Sequence, residues 1–573
     1  MNTMRKTLLL LIALCQIVAL TAQKNAPKWL DKSRKAVVTL TIYDKDGNRI
    51  ASGTGFFVTE QGEILAPYTI FLKSATATAT DTEGKSYPIT RMLGADNMYN
   101  VIRVKADVPK KTPFLTVAQE PQAVGAAVYY IPYSTEKQVA FKEGTIEEVT
   151  KLKEPYGYYK VSIPINHAEE NAPMLTANGE VFGLAQVDAL GGEASSYAVS
   201  AGYVGSLSLS STDNFSNKYA EIGIQKGWPA DFDQALVTLM FRNGSEDAKT
   251  YLETLNDFIT AFPNKEDGYM DRASQYAYHR AELGNPAQML DLAKKDMETA
   301  LNVSTKKDEA YFNQSKLIFN IAVSDSTLSA PWIILEAMSR IDKAIAINPL
   351  PVYLLHRGDL HLYNLEFEPA YNDYTTINSS GQGTALSYYM AAKARENMPD
   401  VNPLEVLSLL DEAVNRCSPE MRQEKAQYIL ERVDWKMSLC MYAEAVADYD
   451  LFYLTTPTSV GSDFYFFREQ AKSRAGDVTG ALKDIQSAIG LDPEVAEYHA
   501  EEATLNVRLK EYDKALISID KALQLNPDFA GCHRLRGVCY LRMEKKSEAC
   551  EALHKAKELG DPQAERLINE NCQ

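Results

Sequence analysis

The sequence predicts a chain of several domains, in which an all-β region precedes an all-α solenoid. In residues 33–210, short segments alternate apolar and polar side chains, and glycine-containing turns separate them about every ten residues, which is typical of an antiparallel barrel or sandwich. From about Asp231 the apolar residues follow a helical period instead. Within that second part, small residues recur every 34 residues, which indicates a helical repeat.

Composition and charge limit the classes of function. The 573 residues exceed the size of one ordinary core, and 45% hydrophobic with 24% charged residues is typical of a globular protein. A net charge of -17 disfavours nucleic-acid binding, because the phosphate backbone would be repelled. The seven histidines limit acid–base chemistry near neutral pH. No Cys-x-x-Cys pair and no Cys/His spacing typical of zinc is present, so no metal or other cofactor is expected.

The first residues predict a signal peptide, assigned to residues 1–22. Arg5 and Lys6 precede the apolar run Leu8–Leu20, and small residues follow it. The run is shorter than the ~20 residues of a membrane span, and Leu14 before Cys15 does not fit a lipoprotein signal. We therefore expect export to the periplasm or the exterior of a bacterium, without a membrane span.

Successive strands and turns can be placed along residues 33–210. Residues 38–42 alternate apolar and polar side chains up to a turn at Gly47. Phe57 and Val58 lead to the turn at Gly62, and the alternation returns over residues 75–80. This order predicts neighbouring antiparallel strands joined by short turns.

Four groups of motifs in this region resemble one family. They are GTGFFV with GEIL at 53–58 and 62–65, DNMYNVIRVK at 96–105, ENAPML with NGEVFG at 170–175 and 178–183, and YAV at 197–199. In this order they resemble the trypsin-fold serine proteases of the HtrA type. The resemblance covers about residues 33–210 and implies a double β-barrel.

The same resemblance indicates a catalytically degenerate domain. Thr69, Asn100 and Glu170 stand at the positions of the family's His, Asp and Ser, and Ala168 replaces the glycine that shapes the oxyanion hole. Serine proteolysis needs a hydroxyl, an imidazole and a carboxylate in these roles. Thr69 cannot accept a proton near neutral pH, and Glu170 would place negative charge where the oxyanion develops. His167, the one histidine of this region, is interpreted as a loop residue.

The C-terminal part predicts helical repeats over residues 235–573, after a serine-rich linker at 211–234. Alanines recur every 34 residues, and so do two prolines that would follow helix ends: Ala481, Ala515 and Ala549; Ala488, Ala522 and Ala556; Pro493 and Pro527. This pattern resembles the tetratricopeptide (TPR) repeat. The resemblance implies about seven or eight helix pairs that bind protein or peptide partners.

Three arginines also follow the 34-residue spacing. Arg474, Arg508 and Arg542 are expected near the ends of successive first helices, where guanidinium groups could bind the carboxylates of an acidic peptide. The alternative is that each one offsets a helix dipole and needs no ligand.

The six cysteines after Cys15 all lie in the C-terminal half. Cys539 and Cys550 are expected on the two helices of the last repeat, where a disulfide would limit fraying. The alternative is that both are small buried thiols.

Two functions remain open from sequence. The first is a non-catalytic binding or scaffold protein, in which a pseudoprotease domain is joined to a TPR-type solenoid. The second is an active or conditionally active serine-type endopeptidase that recruits substrates through the repeats. Hydrolytic labelling distinguishes them.

Overall fold

A computed structural model describes residues 27–136, 140–188, 195–456 and 460–572. The predicted signal peptide, residues 1–22, lies outside this described part. The chain divides into two compact units, of which the first runs to Gln275 and includes His279–Pro286. The strands belong to this unit, and the described residues of the second unit, Tyr276–Tyr278 and Ala287–Gln573, contain no strand. The predicted fold class, β-barrels followed by an all-helical region, is confirmed.

Twelve strands in the described residues form two closed barrels after a short helix, α1 (Leu30–Ser33). The first barrel has the order β1-β2-β3-β6-β5-β4, with β1 Val37–Tyr43, β2 Arg49–Phe57, β3 Glu63–Ala66, β4 Thr76–Thr80, β5 Ser86–Asp96 and β6 Val101–Ala106. The second has the order β10-β11-β12-β9-β8-β7, with β7 Ala127–Tyr130, β8 Lys142–Lys153, β9 Tyr156–Val161, β10 Pro173–Thr176, β11 Val181–Val187 and β12 Ser196–Ser200. Every neighbouring pair is antiparallel. Closure leaves neither sheet with a free edge.

The alternation read from the sequence builds the core of the first barrel. Val38, Leu40 and Ile42 of β1 are all 0% exposed, and the residues between them are only half-buried. The turns at Gly47 and Gly84 both use positive φ angles, which glycine adopts without steric cost. Period-two patterning therefore decides which face of each strand is buried.

The segment predicted to be a linker packs on the first barrel instead. Ile222 and Ile224 are 5% and 4% exposed and belong to the barrel core. Gly223 donates its N–H to the carbonyl of Ser74, and a Cβ at this glycine would lie 2.2 Å from that oxygen. The predicted linker is thus a packed extension of the barrel, because its own apolar residues fill the barrel core.

Further helices of the first unit follow β12, and the first four are α2 Ala201–Ser206, α3 Ser211–Phe215, α4 Phe232–Asn243 and α5 Ala248–Ala261. Asp257 on α5 accepts hydrogen bonds from Trp228 Nε1 at 3.0 Å and from Arg91 Nη2 of β5 at 2.7 Å. The first unit therefore includes helices that the sequence assigned to the solenoid beginning at residue 235.

Helices α6 Glu266–Tyr278, α7 Arg280–Leu283 and α8 Pro286–Val303 lead to seven consecutive helix pairs in the described part. The pairs are α9 Lys307–Ser324 with α10 Ile334–Ile347, α11 Pro351–Tyr363 with α12 Phe367–Ile377, α13 Ala385–Glu396 with α14 Pro403–Asn415, α15 Arg422–Ser438 with α16 Tyr442–Thr455, α17 Ser462–Ala475 with α18 Val478–Leu491, α19 Ala496–Arg508 with α20 Tyr512–Leu525, and α21 Ala530–Arg542 with α22 Lys546–Glu558. A last helix, α23, spans Ala564–Asn571. This succession is consistent with a solenoid.

Small residues bring the paired helices together. The six periodic alanines are all 0% exposed. A Cβ on Gly358 of α11 would lie 2.5 Å from the Tyr374 ring of α12, and one on Gly537 of α21 would lie 2.6 Å from Leu553 of α22. Pro493 and Pro527 follow the ends of α18 and α20 by two residues. The 34-residue period thus marks the close contacts within pairs and the helix ends.

The disulfide differs from the predicted Cys539–Cys550 pair. Cys550 on α22 is bonded to Cys572, which follows α23. Cys539 is a free thiol and is fully buried on α21. The pairing partner is therefore the cysteine that α23 brings back beside α22, and Cys539 serves as a small core residue.

Candidate functional site

A cavity of about 510 Å³ lies between the two barrels. Its lining combines residues of β1 and β2, the turn after β3, the residue before β6, and the turn before β10: Thr39, Ser52, Gly53, Thr54, Pro67, Thr69, Ile70, Asn100, Tyr130, Pro132, Tyr133, His167, Ala168, Glu169, Glu170 and Asn171. Thr69, Asn100 and Glu170, which the sequence resemblance aligns with the family's catalytic residues, therefore line one cavity.

Asn100 holds the turn that carries Thr69. Its Oδ1 accepts the backbone N–H of Thr69 at 2.8 Å, and its carbonyl accepts the N–H of Tyr68 at 3.2 Å. The residue itself has φ +53°, a left-handed conformation that asparagine tolerates better than most residues. Asn100 thus positions backbone, and the Thr69 side chain is exposed at the cavity.

Glu170 places a carboxylate where the resembling family has its nucleophile. Its Oε1 accepts the N–H of Val187 at 3.1 Å, and its Oε2 lies 3.6 Å from Nδ1 of His167. The Glu170 side chain is 29% exposed and that of His167 is 87% exposed. Among the described residues, His167 makes no hydrogen bond to a hydroxyl, so no imidazole is placed to activate a serine or threonine here.

The turn before Glu170 directs its backbone donors away from the cavity. Asn166 accepts the N–H of Ala168 on its Oδ1 and the N–H of Glu169 on its carbonyl, both at 2.9 Å. The carboxylate of Glu169 in return accepts the N–H of Asn166 at 3.0 Å, which completes a capping box. Acyl transfer requires free N–H donors at this point to stabilise the oxyanion, and Ala168 does not supply one.

Two further contacts fix this turn. Lys142 on β8 lies 2.8 Å from Oε1 of Glu169 and also donates to the carbonyl of Pro164. The hydroxyl of Tyr130 donates to the carbonyl of Glu169 at 2.9 Å. Burial, with a smaller contribution from the Glu169 charge, raises the pKa of the Tyr130 phenol, so this group remains a neutral donor.

Sequence reasoning missed the residues that set this turn, Asn166 and Lys142. Asn166 followed three residues later by Glu169 is a capping-box pattern, and that signal could have been read from the sequence. Lys142 could not, because it lies 27 residues from Glu169 and only the β8 pairing brings it near.

The three periodic arginines are exposed at the C-terminal ends of α17, α19 and α21. Arg508 donates from Nη2 to the carbonyl of Ser473 at 3.1 Å and from Nη1 to its hydroxyl at 2.5 Å. The guanidinium of Arg474 lies 5.9 Å from the ring centroid of Tyr442. Of the three, Arg508 therefore donates a hydrogen bond to a backbone carbonyl near the C-terminal end of α17, the first helix of the preceding pair.

In the described part of the chain, no group of three or more His, Cys, Asp or Glu side chains could hold a metal ion. The same residues include no helix long and apolar enough to cross a bilayer.

A comparison with known protein families agrees with the geometry of the barrels. Residues 53–184 match the family described as the trypsin-like peptidase domain. The crystal structure of the serine endoprotease from Yersinia pestis is similar at 17% identity and a TM-score of 0.27, over 31% of this chain and 62% of that one. The chain thus spans less than two thirds of that protein's length. No curated protein matches it. The family match and the two closed barrels assign a trypsin-like fold to the β-rich region.

Proposed function

We propose that this protein is an exported, non-catalytic binding or scaffold protein, in which a degenerate trypsin-like domain is joined to a TPR-type solenoid. One observation carries the proposal: Thr69, Asn100 and Glu170, which the sequence resemblance aligns with the catalytic residues, line one cavity. A threonine hydroxyl and an amide cannot act as base and orienting carboxylate for a nucleophile. The capping of the Ala168 N–H by Asn166 argues against catalysis independently of those replacements.

The helical unit supports the binding part of the proposal. Stacked helix pairs present extended surfaces on which proteins and peptides bind. We infer that the exposed arginines 474, 508 and 542 contribute contacts to an acidic peptide or a chain-terminal carboxylate. Export is inferred from the charged start and apolar run of residues 1–22, and N-terminal sequencing of the mature protein should begin near Gln23.

Fluorophosphonate labelling tests the absence of catalysis. The purified full chain should take up no label and should leave unfolded casein intact, with trypsin as the positive control. Glu170→Ser should also remain unlabelled, because no imidazole accepts its proton and the Ala168 N–H stays bound to Asn166. Stoichiometric labelling of any serine in residues 33–210 of the unaltered protein would establish the alternative, an active peptidase.

A further inference from the structure

The cavity between the barrels presents a carboxylate that has no lysine or arginine partner in the described part of the chain. Among the described residues, no Lys or Arg nitrogen lies within 4 Å of the Glu170 carboxylate, and His167 at 3.6 Å carries charge only when protonated. The neighbouring Glu169 differs, since Lys142 neutralises it at 2.8 Å. Glu170 is therefore the carboxylate of this turn that remains available to a ligand.

Three backbone N–H groups next to Glu170 are already engaged within the chain. The N–H groups of Ala168 and Glu169 donate to Asn166, and the N–H of Asn171 donates to the carbonyl of Ala185 at 2.7 Å. An anion entering the cavity would find few of the backbone donors that stabilise an oxyanion in an active protease. The local polarity thus favours a ligand that donates hydrogen bonds and carries positive charge.

Asn171 gives a second, independent indication of a missing donor. It lines the same cavity, is 7% exposed, and its Oδ1 accepts no hydrogen bond among the described residues. Buried polar atoms are nearly always satisfied by protein groups or ordered water, so an unpartnered acceptor in the lining of a cavity is available to a donor from solvent or from a ligand. Its left-handed backbone, with φ +65°, fixes the residue directly after Glu170.

We propose that this cavity binds an ammonium group of a peptide, with Glu170 as its counter-ion and Asn171 as a supporting acceptor. The inference rests on the proposed non-catalytic function and names the chemistry of its ligand. Either a lysine side chain or the α-amino group of a chain supplies an ammonium, and both donate three hydrogen bonds. The net charge of -17 favours the approach of such a cationic ligand. The volume of about 510 Å³ is adequate for a side chain with its flanking backbone.

Pools of short peptides test the proposal on the immobilised full chain. The first pool holds hexapeptides with one fixed lysine, acetylated at the N-terminus and amidated at the C-terminus. The second replaces that lysine with norleucine, and the third keeps norleucine but leaves the α-amino group free; lysine is absent from the random positions of all three. We expect about tenfold greater retention of the first or the third pool than of the second, since a charge-assisted hydrogen bond adds about a factor of ten in affinity. Preference for the first identifies a side chain as the source of the ammonium, and preference for the third identifies a chain terminus.

Two matched variants assign the effect to this cavity. Glu170→Gln removes the charge and keeps an acceptor for the Val187 N–H, so the preference for ammonium should disappear while the melting temperature stays close to that of the parent. Glu148→Gln makes the same charge change at an exposed site on β8 outside the cavity and should retain the preference. Equal retention of all three pools, or a preference that survives Glu170→Gln, overturns the proposal. Peptide retention tests ammonium binding and fluorophosphonate labelling tests the absence of catalysis, so a failure of one proposal can be distinguished from a failure of the other.

Discussion

Buried carboxylates in the helix pairs bind arginine, whereas the carboxylate of Glu170 in the cavity between the barrels has no lysine or arginine partner among the described residues. In the helix pairs, Arg432 is 7% exposed and binds Asp448, itself 4% exposed, through two hydrogen bonds of 2.9 and 2.6 Å. A third bond of 2.6 Å joins the same guanidinium to Asp411 of the preceding pair. In the cavity between the barrels, His167 at 3.6 Å is the only ion-pairing neighbour of the Glu170 carboxylate among the residues that the structure describes.

The arrangement in the helix pairs is repeated. Three arginines on the first helices of their pairs each form a bidentate contact with an Asp sixteen residues later. Each also donates one hydrogen bond to an Asp of the preceding helix. The sets are Arg357 with Asp373 and Asp342, Arg432 with Asp448 and Asp411, and Arg468 with Asp484 and Asp450. Charges buried by folding thus come with their counter-ions, because an unpaired buried charge is too costly. Glu170 differs in being 29% exposed at the cavity, so its carboxylate is accessible to a cation from outside the chain.

The largest expected effect follows from breaking one buried pair. Arg432→Met leaves Asp448 buried with only Lys436 as a cation, at 2.8 Å, and should lower the free energy of unfolding by about 3 kcal/mol. Urea denaturation measures this loss. The matched control is Arg566→Met on α23, where Arg566 and Glu570 are 74% and 59% exposed and a change below about 0.5 kcal/mol is expected. Equal effects of the two substitutions would contradict the structural role of the buried pairs.

An intermediate effect on the unfolding free energy is expected at Glu469 of α17. This buried carboxyl differs from the buried aspartates above because it does not bind an arginine among the described residues. It is 0% exposed, and its Oε1 accepts no hydrogen bond among the described residues. Desolvation, together with repulsion from Glu501, raises the pKa of Glu469 to about 7. This carboxyl therefore binds a proton near neutral pH where other buried carboxylates bind arginine.

The raised pKa sets the sign of a pH dependence. Since the folded state holds this proton more tightly than the unfolded state, its contribution to stability is complete below the unfolded pKa and is lost as pH rises through 7. The unfolding free energy should fall by about 1 kcal/mol more between pH 6 and 8 in the parent than in Glu469→Gln. Parallel stability profiles of the two proteins over this range would show that Glu469 does not titrate there.

The smallest effect on stability is expected at the exposed arginines. Arg508→Glu removes two hydrogen bonds to Ser473 at the surface and should change the unfolding free energy by less than about 0.5 kcal/mol. If the arginines bind an acidic peptide, the same substitution should weaken capture of that peptide and make the residual binding less sensitive to salt. A lowered melting temperature with unchanged capture would assign Arg508 to capping the preceding helix alone.

Much of the fold and some residues of the cavity could be predicted from local patterns in the amino-acid sequence. Alternation along β1 predicts its buried face, and the 34-residue period predicts the fully buried alanines, because each depends on the spacing of a few neighbouring residues. The motif resemblance also singles out Thr69, Asn100 and Glu170, and in the structure all three line one cavity.

The sequence by itself thus determined the class of each region, since residue chemistry and periodicity are properties of the chain. Only the tertiary structure decided which distant groups meet. It pairs Cys550 with Cys572, packs Ile222 and Ile224 into the first barrel, and brings Lys142 to Glu169. It also leaves Glu170 without a lysine or arginine partner among the described residues, with His167 at 3.6 Å. These outcomes depend on contacts between residues far apart in sequence, and burial and charge pairing select among those contacts only after the chain has folded.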